Sequence, residues 1–217
     1  MQETVESIRN YGVLMPGIAR PRAEGGYEII AGHRRKHGCE LACLSTMPMF
    51  IRDHNDDEAT VIMVDTNIQR EDILPSEKAR AYSMKYEAMK HQGKKGKGSS
   101  LDEVGEAAGE SGKTVQRYIW LARLSDELLD MVDQKKIGLV QGVDISFLTE
   151  QEQEWVQVIL EETGASVSTA QSSKLKEYGK NGELTLPMVR MILTEEKLQL
   201  RLIKTANILR RIIPVRI

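Results

Sequence analysis

Leu101-Asp102-Glu103-Val104-Gly105-Glu106-Ala107-Ala108-Gly109-Glu110-Ser111-Gly112-Lys113-Thr114-Val115-Gln116-Arg117-Tyr118-Ile119 has the pattern of two short helices joined by a tight turn. The first ends in small residues at Ala107 and Ala108, Gly109 supplies the left-handed backbone of the turn, and Ser111 caps a second helix whose Val115, Ile119 and Leu121 or Ala122 face inward. This is a helix-turn-helix layout. Its second helix presents Ser111, Lys113, Thr114, Gln116 and Arg117 on the outer N-terminal side, residue types that reach phosphates and base edges in a major groove. A plain helical hairpin with a solvated polar face satisfies the same spacing, and DNA binding is the reading we adopt. Ala107 to Thr114 also fits a relaxed phosphate-loop pattern, A-x-x-x-x-G-K-T. That loop must follow a buried strand, and Leu101 to Ala108, charged at Asp102, Glu103 and Glu106, reads as a helix.

Taken as a total, the composition opposes a nucleic-acid partner, because 30 Lys and Arg stand against 32 Asp and Glu for a net charge of −2. Its distribution removes the objection. From Leu124 to Thr163 ten acids face two bases, a balance of −8, so the rest of the chain carries +6. The bases gather at Arg20 to Lys36, Lys85 to Lys97 and Arg201 to Arg216. No apolar run approaches the ~20 residues of a membrane span, and the start Met1-Gln2-Glu3-Thr4-Val5-Glu6 lacks a secretory h-region, so the chain is expected to be cytoplasmic with no membrane partner. Cys39 and Cys43 are then expected to be reduced. They lie near His33 and His37, but no second Cys/His pair with ligand spacing follows, which leaves them as small hydrophobes and not zinc ligands.

Gly93-Lys94-Lys95-Gly96-Lys97-Gly98-Ser99-Ser100 has no apolar side chain to pack and reads as a linker over residues 93–100. Before it, Tyr27 to Ala31 and Thr60 to Val64 are β-branched runs that suit strands, while Arg34 to Leu44 and Pro75 to His91 have helical spacing. The first 92 residues therefore predict an α+β domain. After the linker the β signal fades, and helices are expected over Leu101 to Ala108, Lys113 to Leu124, Asp126 to Asp133 and Thr149 to Glu162, with shorter ones near Ser166 to Tyr178 and Leu186 to Glu195. Residues 101–163 form the expected DNA-binding domain, and 164–217 a helical C-terminal segment, either packed on its own domain or serving dimerisation or DNA contact. No internal repeat is evident.

A second cluster follows the first strand. In Ala31-Gly32-His33-Arg34-Arg35-Lys36 a glycine opens a helix, so the backbone can approach a ligand while the helix dipole, Arg34 and Arg35 supply positive charge for an anion. Asp65-Thr66-Asn67-Ile68-Gln69-Arg70-Glu71 follows the second presumed strand and precedes Pro75-Ser76-Glu77, a helix opening. Two strands that both end in polar, basic turns predict one shared site.

Gly12-Val13-Leu14-Met15-Pro16-Gly17-Ile18-Ala19-Arg20, then Gly32-His33-Arg34-Arg35, then Thr66-Asn67-Ile68-Gln69-Arg70-Glu71-Asp72-Ile73 with Pro75-Ser76-Glu77-Lys78-Ala79, followed by a helix-turn-helix, resembles the ParB-type partition proteins in order and spacing. The resemblance covers roughly Glu6 to Glu162 and is nearest to members from plasmids and mobile elements. It implies an α+β ParB-like N-terminal domain followed by an all-α helix-turn-helix domain. It also implies CTP and Mg²⁺ as cofactors, a homodimer that closes as a clamp on double-stranded DNA, and a ParA-type ATPase partner. By motif position, Gly12 and Arg20 resemble first-box nucleotide contacts, Gly32, His33, Arg34 and Arg35 the triphosphate cradle, and Asn67, Gln69 and Arg70 the residues around phosphates and metal, with Asn67 nearest the metal.

Two positions depart from the pattern. His33 and Thr66 stand where the family usually carries Glu, so CTP binding is expected and hydrolysis is at most slow. Asp65 would point to the opposite side of an extended segment. Met1 lies only eleven residues before Gly12, so an N-terminal arm that meets the ATPase is expected to be absent or cut off. The reading is thus a DNA-binding protein of plasmid or chromosome partition that recognises a centromere-like site with CTP as its switch. The alternative is a ParB-like transcription regulator without a nucleotide switch. No carboxylate pair supports a nuclease or phosphotransferase, and no catalytic residue is assigned.

Overall fold

The structure is a computed structural model that describes residues 2–70, 72–91 and 100–194. Its described residues fall into two compact units, those within 1–73 and 81–115 and those within 74–80 and 116–194. Residues 93–99 of the linker expected over 93–100 and the C-terminal part of the 164–217 segment lie outside the described residues, while Ser100, its last residue, opens a helix.

The first unit opens with α1 (Gln2–Tyr11), then the hairpin β1 (Gly17–Pro21) and β2 (Tyr27–Ala31), α2 (His33–Leu41), β3 (Met49–Ile51) and α3 (Asp56–Ile68). Strands run in the order β2-β1-β3, with β1 antiparallel to β2 and parallel to β3. In register, Ile18 faces Ala31 and Arg20 faces Glu28. Helix α3 packs on β2 and α1 on α2, burying Ile8, Ala19, Ile30, Val64 and Ile68. Helix α4 (Pro75–His91) begins in the second unit and ends in the first. Its buried Lys85 donates to Asp65 Oδ1 of α3 at 2.5 Å.

The presumed strand Thr60–Val64 is helical. It lies inside α3, which Asn55 opens with a capping box: Asn55 Oδ1 accepts from Glu58 N (2.9 Å), and Glu58 Oε2 accepts from Asn55 N (3.3 Å). The β-branched run favoured a strand only by local propensity; the cap and the burial of Val64 and Ile68, four apart on one face, decide for helix. Asp65 is therefore on a helix rather than an extended segment, and the expectation that two strand ends frame one site fails for the second of them. Cys39 is buried in α2, while Cys43 lies beyond the helix, exposed, at φ +59°.

In the second unit every described element is helical: α6 (Gly112–Leu121, which starts in the first unit), α7 (Asp126–Asp133), α8 (Leu139–Ile145), α9 (Glu150–Thr163), α10 (Thr169–Asn181) and residues 186–194. One aliphatic core holds them, with Leu121, Leu128, Ile137, Ile145, Val156, Ile159, Leu175 and Val189 at 1% exposure or less. Side-chain caps mark the starts: Ser125 for α7, and capping boxes at Thr149 with Glu152 and at Ser168 with Gln171. A mixed three-stranded sheet with helices, followed by helices alone, is the α+β then all-α order the sequence predicts.

Candidate functional site

The anion cradle forms where β2 meets α2. Gly32 sits at φ +111° with no side chain to cap the helix. The first helical bond runs from Lys36 N to Gly32 O (3.0 Å), so the N–H groups of His33, Arg34 and Arg35 remain at the helix end, the arrangement that binds oxyanions. A Cβ on Gly32 would come within 3.1 Å of Gly17 Cα and 3.5 Å of Arg35 Nη2, so only glycine keeps this corner open. His33 and Arg34 are exposed and have no hydrogen-bond or ion-pair partner among the described residues. Arg35 turns inward, and its Nη1 donates to Met15 O (2.5 Å) and Pro16 O (2.6 Å). It braces the loop that leaves α1 at Gly12 (φ +72°) against the first turn of α2.

Arg20 stands toward the other end of β1. Its Nε donates to Glu28 Oε2 (2.7 Å), Nη2 meets Asp56 Oδ1 (2.6 Å) and Nη1 donates to His54 O (3.2 Å). Glu28 first, then Asp56, push the guanidinium pKa further up, so it stays cationic. Arg20 thereby ties the hairpin to the first turn of α3. Asn67 lies in the last turn of the same helix, eleven residues on and about 16 Å along the axis, so the structure separates Arg20 from Asn67. Gln69 and Arg70 are exposed just past α3, and Arg70 N donates to Asn67 O (3.2 Å). Thr66 Oγ1 folds back onto Ile62 O and Met63 O, and Asp65 is engaged by Lys85. This segment offers amides and a guanidinium to a phosphate. Among the described residues no group of three or more His, Cys, Asp or Glu could hold a metal ion.

The opening stretch of sequence forms α5 (Ser100–Gly105), a 3-10 turn (Glu106–Ala108), a left-handed turn at Gly109 (φ +66°) and α6. Asp102 Oδ1 accepts from Gly112 N (2.8 Å) and joins the two helices, while Ser111 Oγ accepts from Thr114 N (3.3 Å). Val104 and Val115 are buried between them at 1% and 0%. Ser111, Lys113 and Arg117 are exposed, the last two four apart on one face; Thr114 and Gln116 are half-buried. No strand precedes this turn, so the phosphate-loop pattern lacks its geometry. Sequence reasoning missed the Asp102 cap, the Arg35 brace and the Glu28 and Asp56 partners of Arg20. The Arg35 brace and the Asp56 partner are long-range, and the Glu28 and Asp102 contacts depend on the register of the hairpin and the turn.

The profile of the ParB N-terminal domain matches residues 1–68. Over 181 residues the chain is 33% identical to the probable chromosome 1-partitioning protein ParB of Deinococcus radiodurans, covering 83% of this chain and 59% of the relative. Residues 1–68 carry a ParB N-terminal domain, and the chain beyond them is similar to chromosome-partitioning ParB proteins. It is also 30% identical to the chromosome-partitioning protein Spo0J of Thermus thermophilus over 172 residues, 79% of this chain and 60% of that one. The chain thus spans about three-fifths of the length of these ParB relatives. Among solved structures, the C-terminally truncated chromosome-partitioning protein ParB of Caulobacter crescentus, complexed to the centromeric parS site, shares the fold. Its TM-score is 0.51 at 22% identity, with 83% of this chain and 89% of that chain covered. Among the described residues no helix is long and apolar enough to cross a membrane.

Proposed function

We propose that this chain is a DNA-binding partition protein whose α6 reads a specific centromere-like site, with CTP as the ligand of the Gly32–Arg35 cradle and a switch for retention on DNA. The observation that carries the DNA reading is the α5–α6 unit. Its turn is locked by Asp102 and Ser111, and Lys113 and Arg117 project from its exposed face. Lys113 suits a phosphate and Arg117 a phosphate or a guanine edge, with Ser111, Thr114 and Gln116 close by for polar contacts. A dimer matches a palindromic site, and a ParA-type ATPase is the partner that partition requires.

The cradle fits a triphosphate through three unbonded helix N–H groups, the exposed Arg34 and an open glycine corner. Arg35 holds that corner in shape, and Gly12 sets the loop it braces. Mg²⁺ would find Asn67 as its nearest protein ligand and would rest mainly on phosphate oxygens and water, as this hard cation does in nucleotide sites. With His33 and Thr66 in place of acids and Asp65 held by Lys85, the positions where the family usually carries Glu supply no carboxylate for hydrolysis.

A second reading has its own support. Arg20 is saturated by Glu28, Asp56 and His54, and Arg35 by Met15 and Pro16, as in a scaffold kept for shape by a transcription regulator without a switch. Titrating CTP into the purified protein, with and without Mg²⁺ and with the other nucleoside triphosphates as controls, separates the two. Saturable CTP binding lost in Arg34→Ala supports the switch; DNA binding indifferent to CTP supports the regulator.

A further inference from the structure

A recess in the first unit lies apart from the cradle. It is an open cavity of about 580 Å³ lined by one face each of α3, α4 and α5 with its 3-10 turn. The helical spacings are regular: Glu58, Val61, Ile62 and Asp65 from α3, Lys85 and Met89 from α4, and Glu103 and Glu106 three apart, so each helix turns a single face inward. Val61, Ile62 and Met89 give it an apolar lining, and Glu58, Glu103 and Glu106 add carboxylates.

The charges do not cancel. Lys85 is spent on Asp65 at 2.5 Å. Glu58 accepts its helix cap and has only His54 nearby, at 3.4 Å. Glu103 and Glu106 have no ion-pair partner among the described residues. Three carboxylates therefore surround an apolar recess whose volume lies in the range of small-molecule sites. A bare divalent cation suits it poorly, because such an ion needs oxygens converging on one point and no such group occurs among the described residues. A long aliphatic cation fits both features: ammonium groups pair with these carboxylates while methylenes cover Val61, Ile62 and Met89.

We propose that this recess binds a linear aliphatic polyamine. The bound polycation neutralises Glu103 and Glu106 at the root of the α5–α6 turn, which removes negative charge from the helix that carries the proposed DNA-facing residues.

Spermidine titrated calorimetrically into the full chain, free of DNA and nucleotide, tests this. Saturable binding of one molecule per chain is expected, persisting in MgCl₂ of matched ionic strength. Glu103→Gln with Glu106→Gln, both nearly isosteric, should weaken it about tenfold, and Met89→Gln should weaken it separately at unchanged charge. Circular dichroism confirms that each variant is folded. The proposal is overturned by absent saturation, by equal competition from magnesium, by unchanged affinity in the double carboxamide variant, or by a tetralysine peptide binding where spermidine does not, which would assign the recess to a protein segment.

Discussion

Removing one end of the Lys85–Asp65 pair should cost far more than removing the other. Lys85 is 4% exposed at its side chain and Asp65 29%. Asp65→Ala strands a buried ammonium, and breaking a buried pair in this way costs about 3 kcal/mol, the lower end because the pocket admits some water. Lys85→Met removes the buried charge, fills its place with a similar apolar side chain and leaves an Asp that water still reaches, so it should cost about 1 kcal/mol or less. The gap of about 2 kcal/mol is roughly a thirtyfold difference in the opening equilibrium of α3 and α4. Both tryptophans, Trp120 and Trp155, belong to the second unit, so indole fluorescence would not report the loss. Hydrogen exchange of the α3 amides does, with Asp65→Ala losing about thirtyfold more protection than Lys85→Met. Equal losses, or a greater loss in Lys85→Met, would refute the account of which charge is desolvated.

Gly32→Ala should destabilise the first unit by about 2 kcal/mol, since φ +111° is strained for any side chain and its Cβ meets Gly17 Cα at 3.1 Å; a thermal melt followed by circular dichroism reads it, and CTP affinity should fall with it. Glu40 is held below the ordinary glutamate value of 4.5 by its hydrogen bond to Lys36 and then by His37. Its small contribution is present above that ordinary value and is lost as pH falls through the lower folded one. Lys36→Gln should return the carboxyl toward 4.5, as read by NMR titration.

Much of this architecture was legible locally, where a cap or a turn residue sits beside a periodic segment. Pro75–His91 and Asp126–Asp133 were read with the boundaries they have, and Tyr27–Ala31 with its own, because Pro75, Ser125 and the flanking glycines punctuate them. Where segments were short, tertiary pairing decided. Gly17–Pro21 is a strand because it pairs with Tyr27–Ala31 and with the three-residue Met49–Ile51, which has no other strand partner among the described residues, and the seven-residue Leu139–Ile145 is a helix because Val143 and Ile145 enter the core. Thr60–Val64 misled through β-branching, although Asn55 and Glu58 had already signalled a helix start. At the candidate site, the residues could be named from their motifs but not their engagements. That Arg35 and Arg20 are tied to backbone carbonyls and carboxylates depends on contacts that no local pattern encodes.

The claim that α6 contacts DNA is tested most directly by the salt dependence of binding to a site selected from a random-sequence library. Wild-type chain is compared with Lys113→Ala/Arg117→Ala, whose changes are both at exposed positions. If both side chains meet phosphates, the double variant binds more weakly and the slope of log K against log salt flattens by about 2. If Arg117 reads a base instead, the slope flattens by about 1 and discrimination at one position is lost. Unchanged affinity, slope and specificity would contradict the account and move DNA recognition off this helix.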